Sequence, residues 1–477
     1  MSGQPFPWSP DDSRPIHFMG VGGAGMCALA EALVRQGFRV TGCDLRPGES
    51  VRRLESLGVT VETGHDPGHL KGAGGLVVSA AVPADHPEVQ AASETGIRVL
   101  KRAEALGRWV NQGQVLAVSG THGKTTTTAL LTQVMEAAGR SPTGFVGGEV
   151  SGWESHLRPG EDDWFVVEAD EYDRSFHHLH PWVAVVTNVE ADHLDIYESL
   201  QGVEEGFRTF LGQVDPSGAV VVCADDEGAG RVAQGLPVTT VTYGFSAGSM
   251  IRGQELEVRD GGTRFRVREQ GGDSGHLIVP MPGRHNALNA LAAAAAARSL
   301  GVQWSDIQAG IASFQGVRRR FQRLGDPHGI TVVDDYAHHP SELQATLAAA
   351  RGAFPGRRLV AVFQPHLYSR TRDQAHAFGE ALTLADRIWV TGIYPAREAP
   401  IPGVDGALVA RKTQEAGAGS VRHHEELATL GEALAQDLES GDVCLLMGAG
   451  SIESVGPELV QRLTDGAWAH PRGDGHG

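Results

Sequence analysis

Short apolar runs recur along the chain, and glycine-rich or charged residues follow most of them. The clearest runs are residues 16–19, 115–118, 164–167, 182–187, 359–363 and 443–447. Runs that are apolar at nearly every position are typical of strands buried on both faces of a parallel sheet. Stretches with helical character lie between them, among them 126–138 and 341–353. The pattern predicts an α/β protein in which strands alternate with helices.

One region departs from this alternation. Between residues 250 and 280, apolar and charged residues alternate on both sides of Asp260-Gly261-Gly262-Thr263. Alternation around a glycine-rich turn predicts an antiparallel hairpin, which would form an accessory β layer. Residues from about 465 onward are rich in Gly, His and Asp, and we expect them to be frayed.

Composition and charge narrow the classes of function. The chain has 41% hydrophobic and 21% charged residues, as an ordinary globular protein has. Its formal charge of −18 argues against a nucleic-acid partner, because binding a phosphate backbone requires a basic face. Phosphate groups would therefore bind in local pockets, with Mg²⁺ supplying positive charge.

Cysteine usage and the absence of targeting signals predict a cytoplasmic protein. The four cysteines are far apart and form no CxxC pair, so they suggest neither a disulfide framework nor a zinc cluster. Residues 1–14 contain no apolar signal-peptide core. The most apolar helical stretch, 287–300, is too short to span a bilayer, and we expect no membrane insertion.

A glycine-rich turn joins the predicted strand at 115–119 to the predicted helix at 126–138. Its residues are Gly120, Thr121, His122, Gly123, Lys124 and Thr125. Such a turn directs backbone N–H groups and a helix N-terminus at one point, where an anion is stabilised. Lys124 adds a charge for the outer phosphates, and the Thr125 hydroxyl can bind Mg²⁺. Val118 replaces the first glycine of the usual motif, and the alternative is a helix start without a ligand.

A second turn of this kind occurs earlier, in Gly20-Val21-Gly22-Gly23-Ala24-Gly25. It follows a strand and opens a helix, and the next strand ends in Asp44, as in a dinucleotide-binding Rossmann unit. Taken alone, this favours NAD and an NAD-dependent oxidoreductase. No dehydrogenase-type catalytic domain follows, however, because the second phosphate-binding turn begins at once. Two such turns suggest a nucleotide-linked substrate in one domain and ATP in the next.

Polar residues follow the next apolar runs of the middle region. Glu168 ends one run and His193 comes shortly after another. Ligands of open α/β sheets bind beyond the carboxyl ends of the strands, so both residues should lie near the phosphate-binding turn. A carboxylate suits Mg²⁺, and an imidazole suggests a second metal ion. The alternative is that both residues make local hydrogen bonds only.

The last third repeats the strand–helix pattern and carries basic residues. Arg370 or Arg372 could bind a carboxylate with two parallel hydrogen bonds, as an amino-acid substrate requires. A surface Arg–Asp pair is the alternative. The basic run 316–321 lies at a domain boundary, where an arginine beside a nucleotide site can bind phosphate.

The order of these motifs resembles that of the Mur ligases, in particular the branch that adds alanine. The resemblance extends from about residue 16 to residue 450. It rests on His17 to Met26, Gly120 to Thr128, Glu168 to Glu171, Thr187 to His193, Pro282 to Asn286, Arg319 to Phe321, Asp334 to Pro340 and Phe363 to His366.

The resemblance implies three α/β domains. They are a Rossmann-like UDP-substrate domain at 1–112, a P-loop ATPase-like domain with the accessory β layer at 113–322, and a Rossmann-like amino-acid-binding domain at 323–477. It also implies a reaction of peptidoglycan precursor synthesis. The lactyl carboxylate of UDP-N-acetylmuramate attacks the γ-phosphate of ATP, and the amine of L-alanine then displaces phosphate from the acyl phosphate. A recycling ligase that attaches a ready-made peptide, or a binding protein without catalysis, are the alternatives.

The family likeness further assigns roles to residues of this chain. Thr125 and Glu168 would hold one Mg²⁺ and His193 a second. Several relatives support the second ion with a modified lysine, which the lysine-free span from 125 to 411 excludes here. ATP would contact Gly120, Thr121, His122, Gly123, Lys124, Thr125, Thr126, His285, Asn286, Arg320 and Asp335. The UDP pocket would include Gly22, Gly25, Asp44, His65 and Ser79, and the alanine site would include Tyr336, His338 and Arg370.

Among these residues, Lys124, His193, Arg320 and His338 are the predicted catalytic ones. Two positions depart from the family pattern. Leu367 stands where many relatives have arginine, so one carboxylate contact would be missing or supplied elsewhere. Ser451 stands where aspartate is usual. The oligomeric state stays open.

Overall fold

A computed structural model of the protein describes residues 4–46, 48–259, 261–269, 272–396 and 398–466. The chain divides into two compact units. The first extends to Leu256 and includes Phe265–Val279 and Leu288–Gln315, and the second comprises Glu257–Arg264, Pro280–Ala287 and the chain from Gly316 onward. Most of the predicted frayed tail lies outside the described residues.

The first unit begins with a parallel sheet in the order β3-β2-β1-β4-β5. Its strands are β1 (Ile16–Met19), β2 (Val40–Asp44), β3 (Thr60–Thr63), β4 (Gly75–Val78) and β5 (Arg98–Lys101). Its helices are α1 (Ala24–Arg35), α2 (Glu49–Ser56), α3 (Pro87–Glu94) and α4 (Arg102–Val110). The order changes direction at β1, and such a switch point is where open α/β sheets bind ligands.

A second sheet has the order β15-β14-β13-β12-β11-β10-β6-β9-β7-β8. Its strands are β6 (Gln114–Ser119), β7 (Thr143–Phe145), β8 (Leu157–Arg158), β9 (Trp164–Glu168), β10 (Val183–Val186), β11 (Ala219–Cys223), β12 (Thr239–Gly244), β13 (Ile251–Arg259), β14 (Gly262–Glu269) and β15 (Gly272–Val279). The helices are α5 (Lys124–Ala137), α6 (Leu194–Tyr197), α7 (Leu200–Leu211), α8 (Glu227–Ala233), α9 (Arg284–Ser299) and α10 (Trp304–Ala312). The parallel neighbours β10, β6 and β9 bring three strand ends together.

The third sheet has the order β16-β17-β21-β18-β19-β20 and lies in the second unit. Its strands are β16 (Gln322–Gly325), β17 (Thr331–Asp335), β18 (Leu359–Phe363), β19 (Arg387–Thr391), β20 (Val421–His424) and β21 (Val443–Met447). Its helices are α11 (Pro340–Ala353), α12 (Tyr368–Leu382), α13 (Gly406–Glu415), α14 (Leu427–Asp437) and α15 (Val455–Thr464). All strands pair in parallel except β16 with β17.

Burial explains why two inner strands of the third sheet, β18 and β21, are apolar at every position. Alternate residues of β18 enter two different cores: Ala361 and Phe363 pack in one, and Val360 and Val362 pack in the other. Side chains of a strand alternate between the faces of its sheet, so a strand covered on both faces needs no polar position.

The α/β class is confirmed, and the three separate sheets confirm the three-domain fold. The ends of β1, β18 and β21 agree with the predicted runs to the residue. The accessory β layer differs from the prediction, because its strands continue the second sheet through the pairing of β12 with β13 and include a third strand, β15. None of the helices in the described ranges combines the length and apolar character that crossing a bilayer requires.

Candidate active site

The phosphate-binding turn occupies the expected edge of the second sheet. It connects β6 to α5, and the parallel neighbours of β6 end in Glu168 and in Val186. The chain after β10 leads to His193, so the turn, the carboxylate and the imidazole follow adjacent strand ends, as predicted from the sequence.

Two glycines of this turn have no room for a side chain. Gly120 has a φ of 134°, and a Cβ atom there would lie 2.0 Å from the Oγ1 atom of Thr187. Gly123 has a φ of 83°, and its Cβ would lie 2.4 Å from Oδ1 of Asn289. Left-handed backbone and close approach both require glycine at these positions.

The segment after β10 holds the turn in place. Oδ1 of Asn188 accepts a hydrogen bond from the backbone N–H of His122 at 2.8 Å, and the Thr187 hydroxyl donates to the His122 carbonyl at 2.6 Å. Thr121 Oγ1 accepts from the Glu190 N–H at 2.9 Å. The sequence prediction did not include Thr187 and Asn188 in the site. Both residues directly follow strand β10, and this position in the sequence could have placed them at the same sheet edge as the turn.

Lys124 points back into the turn and is paired with Glu171. Its Nζ donates to the Gly120 carbonyl at 2.7 Å, to the Thr121 carbonyl at 3.1 Å and to Oε1 of Glu171 at 2.9 Å. Burial acts to lower the pKa of Lys124, but the carboxylates of Glu171, Asp170 and Glu168 together outweigh it and raise that pKa. Burial raises the pKa of Glu171, which Lys124 only partly offsets. The lysine is therefore a charged group held at the turn.

Thr125 and Glu168 form a pair that fits Mg²⁺. The Thr125 hydroxyl lies 2.9 Å from Oε1 of Glu168, while Oε2 accepts the Gly147 N–H at 2.6 Å. An octahedral Mg²⁺ with bonds of about 2.0–2.1 Å separates adjacent oxygen ligands by roughly 2.9 Å. The hydroxyl and the carboxylate could therefore occupy neighbouring positions around one ion.

His193 lies beside Glu171. Its Nε2 atom is 4.0 Å from Oε1 of Glu171 and 3.9 Å from a carboxylate oxygen of Asp192. Its own backbone has a φ of 52°, and its ring lies 5.1 Å from the ring of Tyr172. The structure thus links His193 to Glu171, whereas Thr125 contacts Glu168.

Every strand of the first sheet delivers a polar group at its carboxyl end. The groups are the Gly20–Gly25 turn after β1, Asp44 at the end of β2, His65 after β3, Ser79 after β4 and Arg102 after β5. The five predicted UDP-pocket residues therefore share one edge of the sheet. Arg102 was not predicted, although the pair Lys101-Arg102 at the end of a strand was a visible signal.

Asp44 supports the first glycine turn. Its Oδ2 accepts the Gly22 N–H at 2.8 Å, and its Oδ1 accepts the Arg46 N–H at 3.0 Å. A Cβ on Gly22 would lie 2.9 Å from Oδ2 of Asp44, and one on Gly25 would lie 3.0 Å from a guanidinium nitrogen of Arg102. The carboxylate thus fixes the turn, and the guanidinium lies against it.

The remaining predicted ATP residues lie in the second unit. Burial, and to a lesser degree Arg320, lowers the pKa of His285 to about 4, so its imidazole is neutral at physiological pH. The Asn286 amide donates to the Pro282 carbonyl at 2.8 Å. The Asp335 carboxylate accepts from the N–H groups of Phe321 and Ala337, at 2.7 and 2.9 Å. These contacts hold the loop that carries Arg320, and the ribose contact that the family likeness implies for Asp335 stays a prediction.

Three predicted alanine-site residues also cluster in the second unit. The ring of His338 lies 5.3 Å from that of Tyr336 and 5.7 Å from that of His366. A guanidinium nitrogen of Arg370 is 3.3 Å from Nδ1 of His366. Tyr394 stacks on His366 with ring centroids 5.7 Å apart. The structure therefore adds His366 and Tyr394, whose proximity only the fold could reveal.

Glu342 connects this cluster to Arg320. Its Oε2 atom lies 3.1 Å from Nδ1 of His338, and Oε1 lies 3.5 Å from the Arg320 guanidinium. It also accepts the backbone N–H groups of His338 and His339 as the third residue of helix α11. A glutamate three residues after a helix cap was a signal that the sequence contained.

The structure also places Arg372 and the two residues that depart from the family pattern, Leu367 and Ser451. Arg372 forms an exposed pair with Asp373 at 2.6 Å, so the surface alternative applies to it. Leu367 has a φ of 71° and precedes α12. The Ser451 hydroxyl accepts the Gln364 amide at 3.2 Å.

Comparisons with known proteins agree with this arrangement. Models of the Mur ligase family, catalytic domain, the Mur ligase middle domain and the Mur ligase, glutamate ligase domain match residues 15–114, 118–297 and 319–450. The UDP-N-acetylmuramate–L-alanine ligase of Halorhodospira halophila is 45% identical over 461 residues, which cover 96% of this chain and 95% of the relative.

Two solved structures are similar over nearly the whole chain. The UDP-N-acetylmuramate-alanine ligase of Thermotoga maritima has a TM-score of 0.80 at 29% identity, covering 94% of this chain and 99% of its own. A murein peptide ligase of Psychrobacter arcticus has a TM-score of 0.66 at 27% identity, covering 95% and 99%. The chain belongs to the Mur ligase family.

Proposed function

We propose that the chain is an ATP-dependent ligase of peptidoglycan precursor synthesis that joins L-alanine to UDP-N-acetylmuramate. The observation that carries the proposal is the glycine turn with Lys124, Thr125 and Glu168 at adjacent strand ends. This turn occurs in a chain that is 45% identical, over 96% of its length, to a UDP-N-acetylmuramate–L-alanine ligase.

The reaction has two displacement steps. The lactyl carboxylate of UDP-N-acetylmuramate attacks the γ-phosphorus of ATP, so that an acyl phosphate forms and ADP leaves. The neutral amine of L-alanine then attacks the acyl carbon, an amide forms, and inorganic phosphate and a proton are released. Two anions must approach each other in the first step, which requires positive charge concentrated at the transferring phosphate.

The described residues supply that charge and its placement. Lys124 carries an ammonium held at the turn by backbone carbonyls and Glu171, so little reorganisation is needed when phosphate replaces these partners. Thr125 and Glu168 would hold one Mg²⁺, and His193 with Glu171 would hold a second. Bound Mg²⁺ neutralises phosphate charge.

The predicted domains receive separate roles in this proposal. Residues 1–112 bind the UDP-linked substrate through Gly22, Gly25, Asp44, His65 and Ser79. Residues 113–322 bind ATP, with His285 and Asn286 at the adenine and Arg320 at the phosphates. Residues 323–477 bind L-alanine, where Arg370 could bind its carboxylate and where Tyr336 and His338 lie close to it. The four buried cysteines are free thiols, which suits the cytoplasm that we propose as its location.

A recycling ligase that attaches a preformed peptide to the same sugar nucleotide is the second candidate. The similarity to the murein peptide ligase structure favours it, although the TM-score of 0.66 is lower than the 0.80 for the alanine ligase structure. Phosphate release should be measured with ATP, Mg²⁺ and UDP-N-acetylmuramate, and with either L-alanine or a tripeptide as acceptor. We expect turnover with L-alanine, and turnover only with the tripeptide would replace our proposal with the second candidate.

The same assay separates two further classes. An NAD-dependent oxidoreductase built on the first glycine turn would bind NAD tightly and would not bind the UDP-sugar. A binding protein without catalysis would release no phosphate with all three substrates present. Titration calorimetry with NAD and with UDP-N-acetylmuramate tests the first of these classes, and phosphate release tests the second.

A further inference from the structure

Four potential metal ligands converge in the first sheet, away from Thr125 and Glu168. They are His17 of β1, Cys43 of β2, His69 in the turn after β3 and Glu88 of α3. Their ligand atoms all lie within 4.8 Å of one another. The four residues come from four separate segments of the chain, so they form no recognisable sequence motif.

The cluster is buried at its centre. The exposed fraction is 1% for His17 and 0% for both Cys43 and Glu88. The side chain of His69 is 17% exposed, which leaves an approach from solvent. Buried carboxylates and thiols are costly to charge unless a cation balances them. The ion pairs of Glu88 in the described residues are with His65 and His69.

The spacing of the ligand atoms fits a tetrahedral ion. Zinc bonds of about 2.3 Å to sulfur and about 2.0–2.1 Å to nitrogen or oxygen separate tetrahedral ligand atoms by roughly 3.3–3.7 Å. Sγ of Cys43 lies 3.4 Å from Nε2 of His17 and 3.7 Å from both carboxylate oxygens of Glu88. Nδ1 of His69 lies 3.2 Å from Oε1 of Glu88. These S–N, S–O and N–O distances are close to the edges of a tetrahedral zinc site.

Neighbouring groups orient the ligands as metal sites require. Nδ1 of His17 is 3.0 Å from Oγ1 of Thr41. In the tautomer with the proton on Nδ1, His17 donates to Thr41 and the Nε2 lone pair faces Sγ of Cys43. The backbone N–H of Asp66 donates to Oε1 of Glu88 at 2.9 Å. Outer hydrogen bonds of this kind fix the ring orientation of metal-binding histidines. His65, with Nδ1 at 3.1 Å from Sγ of Cys43, adds a fifth group beside the sulfur.

We propose that His17, Cys43, His69 and Glu88 bind one zinc ion in the first sheet. Two imidazoles, one thiolate and one carboxylate form a donor set that suits Zn²⁺ and does not suit Mg²⁺, which prefers oxygen ligands. The site differs in residues and chemistry from the one at Thr125 and Glu168, and it does not depend on the proposed ligase reaction.

The zinc ion would stiffen the first glycine turn. The backbone carbonyl of Cys43 accepts the N–H groups of Gly20 and Val21, at 2.8 and 3.1 Å. His17 lies in the strand that leads into the same turn. A ligand set that fixes His17 and Cys43 therefore fixes both sides of the turn to which we assign the UDP-linked substrate.

Cobalt substitution in the full chain tests the proposal. The metal-free protein is titrated with Co²⁺ in the presence of excess Mg²⁺, which occupies oxygen-ligand sites, and is then titrated with Zn²⁺. We expect one equivalent of Co²⁺ to give a sulfur-to-cobalt charge-transfer band, and one equivalent of Zn²⁺ to abolish that band. Cys43→Ser should remove the band. His69→Asn should weaken Zn²⁺ binding by at least the roughly 10- to 100-fold that loss of an outer hydrogen-bond partner causes.

Matched variants separate metal binding from folding. Cys27→Ser removes another buried thiol of the same sheet domain, whose Sγ donates to the Ser50 carbonyl, and it should leave the band unchanged. His376→Asn changes an exposed histidine and should leave Zn²⁺ affinity unchanged. If Cys43→Ser does not fold, His69→Asn provides the result. No charge-transfer band in the wild type, or Zn²⁺ affinity unaffected by His69→Asn, would overturn the proposal.

Discussion

The two glycine turns of the first unit have the same architecture and different chemistry. Each follows a strand that has a parallel neighbour on both sides, and each opens a helix at a glycine, Gly23 for α1 and Gly123 for α5. In the described residues, neither helix has a side chain that caps its N-terminus. Both turns therefore offer backbone N–H groups to an anion.

The side chains around the two turns differ in charge and in chemical type. A carboxylate, Asp44, is hydrogen-bonded inside the first turn, and Arg102 lies against it. The second turn contains the Lys124 ammonium and the Thr125 hydroxyl, and the carboxylates Glu168 and Glu171 pair with them. In our proposal the first turn binds the diphosphate of the UDP-sugar, and the second turn neutralises the phosphate that reacts. A glycine turn therefore indicates phosphate binding, and the side chains around it indicate whether the phosphate is only bound or also reacts.

Removing the ammonium should have the largest effect. We expect Lys124→Ala to lower kcat by roughly 1,000-fold, because the charge that stabilises the transferring phosphate is lost. Phosphate release in a steady-state assay measures the effect. Lys412→Ala, at a partly exposed position paired with Glu415, is the control and should retain full activity. A loss below about tenfold in kcat would mean that Lys124 does not act on the reacting phosphate.

Adding a methyl group to each turn should affect different substrates. In Gly120→Ala the new Cβ meets Thr187 at 2.0 Å in a left-handed backbone, so KM for ATP should rise by about 100-fold or more. In Gly22→Ala the Cβ meets the movable Asp44 carboxylate at 2.9 Å, so KM for the UDP-sugar should rise about tenfold. Steady-state kinetics of both substrates in both variants checks this. A rise in the same KM for both variants would contradict the separation of the turns.

Changing the metal-binding carboxylate should alter the Mg²⁺ requirement. Glu168→Gln keeps the size of the side chain and removes the charge beside Thr125, so half-maximal activity should need at least about tenfold more Mg²⁺. A Mg²⁺ titration of phosphate release measures the change. The same titration of His193→Ala tests the second ion: an unchanged Mg²⁺ curve would leave only the ion at Thr125 and Glu168.

Weakening the carboxylate of the first turn should have a smaller effect. Asp44→Asn retains a single acceptor oxygen where two carboxylate oxygens accept from Gly22 and Arg46. Loss of one hydrogen bond of about 1 kcal/mol should raise KM for the UDP-sugar about fivefold and leave KM for ATP unchanged. A change in KM for ATP instead would contradict the assignment of this turn.

The neutral imidazole of His285 should affect stability only at low pH. Burial lowers its pKa from 6.5 to about 4, so the folded state binds fewer protons than the unfolded state between these values. Stability should therefore fall as pH falls from about 6.5 to 4, by up to about 3 kcal/mol. Urea unfolding of wild type and His285→Gln measures this. As pH falls, the free energy of unfolding should decrease less for the variant than for the wild type. An equal pH dependence of both proteins would show that His285 is not buried in its neutral form.

The sequence indicated the strands and both turns because each carries its signal locally. The strands β1, β18 and β21 are continuous apolar runs, and the glycines of both turns lie directly before helices. Residues that act through tertiary proximity were missed. Tyr394 reaches its site from a segment without a recognisable pattern. Arg102 and Glu171 stand in segments that did carry a signal, but only the fold shows what they contact. The wide spacing of the cysteines gave no indication that Cys43 lies beside two histidines and Glu88.

A crossed binding experiment tests the central claim, that each turn binds its own nucleotide. Titration calorimetry measures the affinity of a non-hydrolysable ATP analogue and of UDP-N-acetylmuramate for Lys124→Ala and for Asp44→Ala. We predict that Lys124→Ala loses affinity for the ATP analogue and keeps wild-type affinity for the UDP-sugar, and that Asp44→Ala does the reverse. Loss of both ligands in either folded variant would contradict the claim.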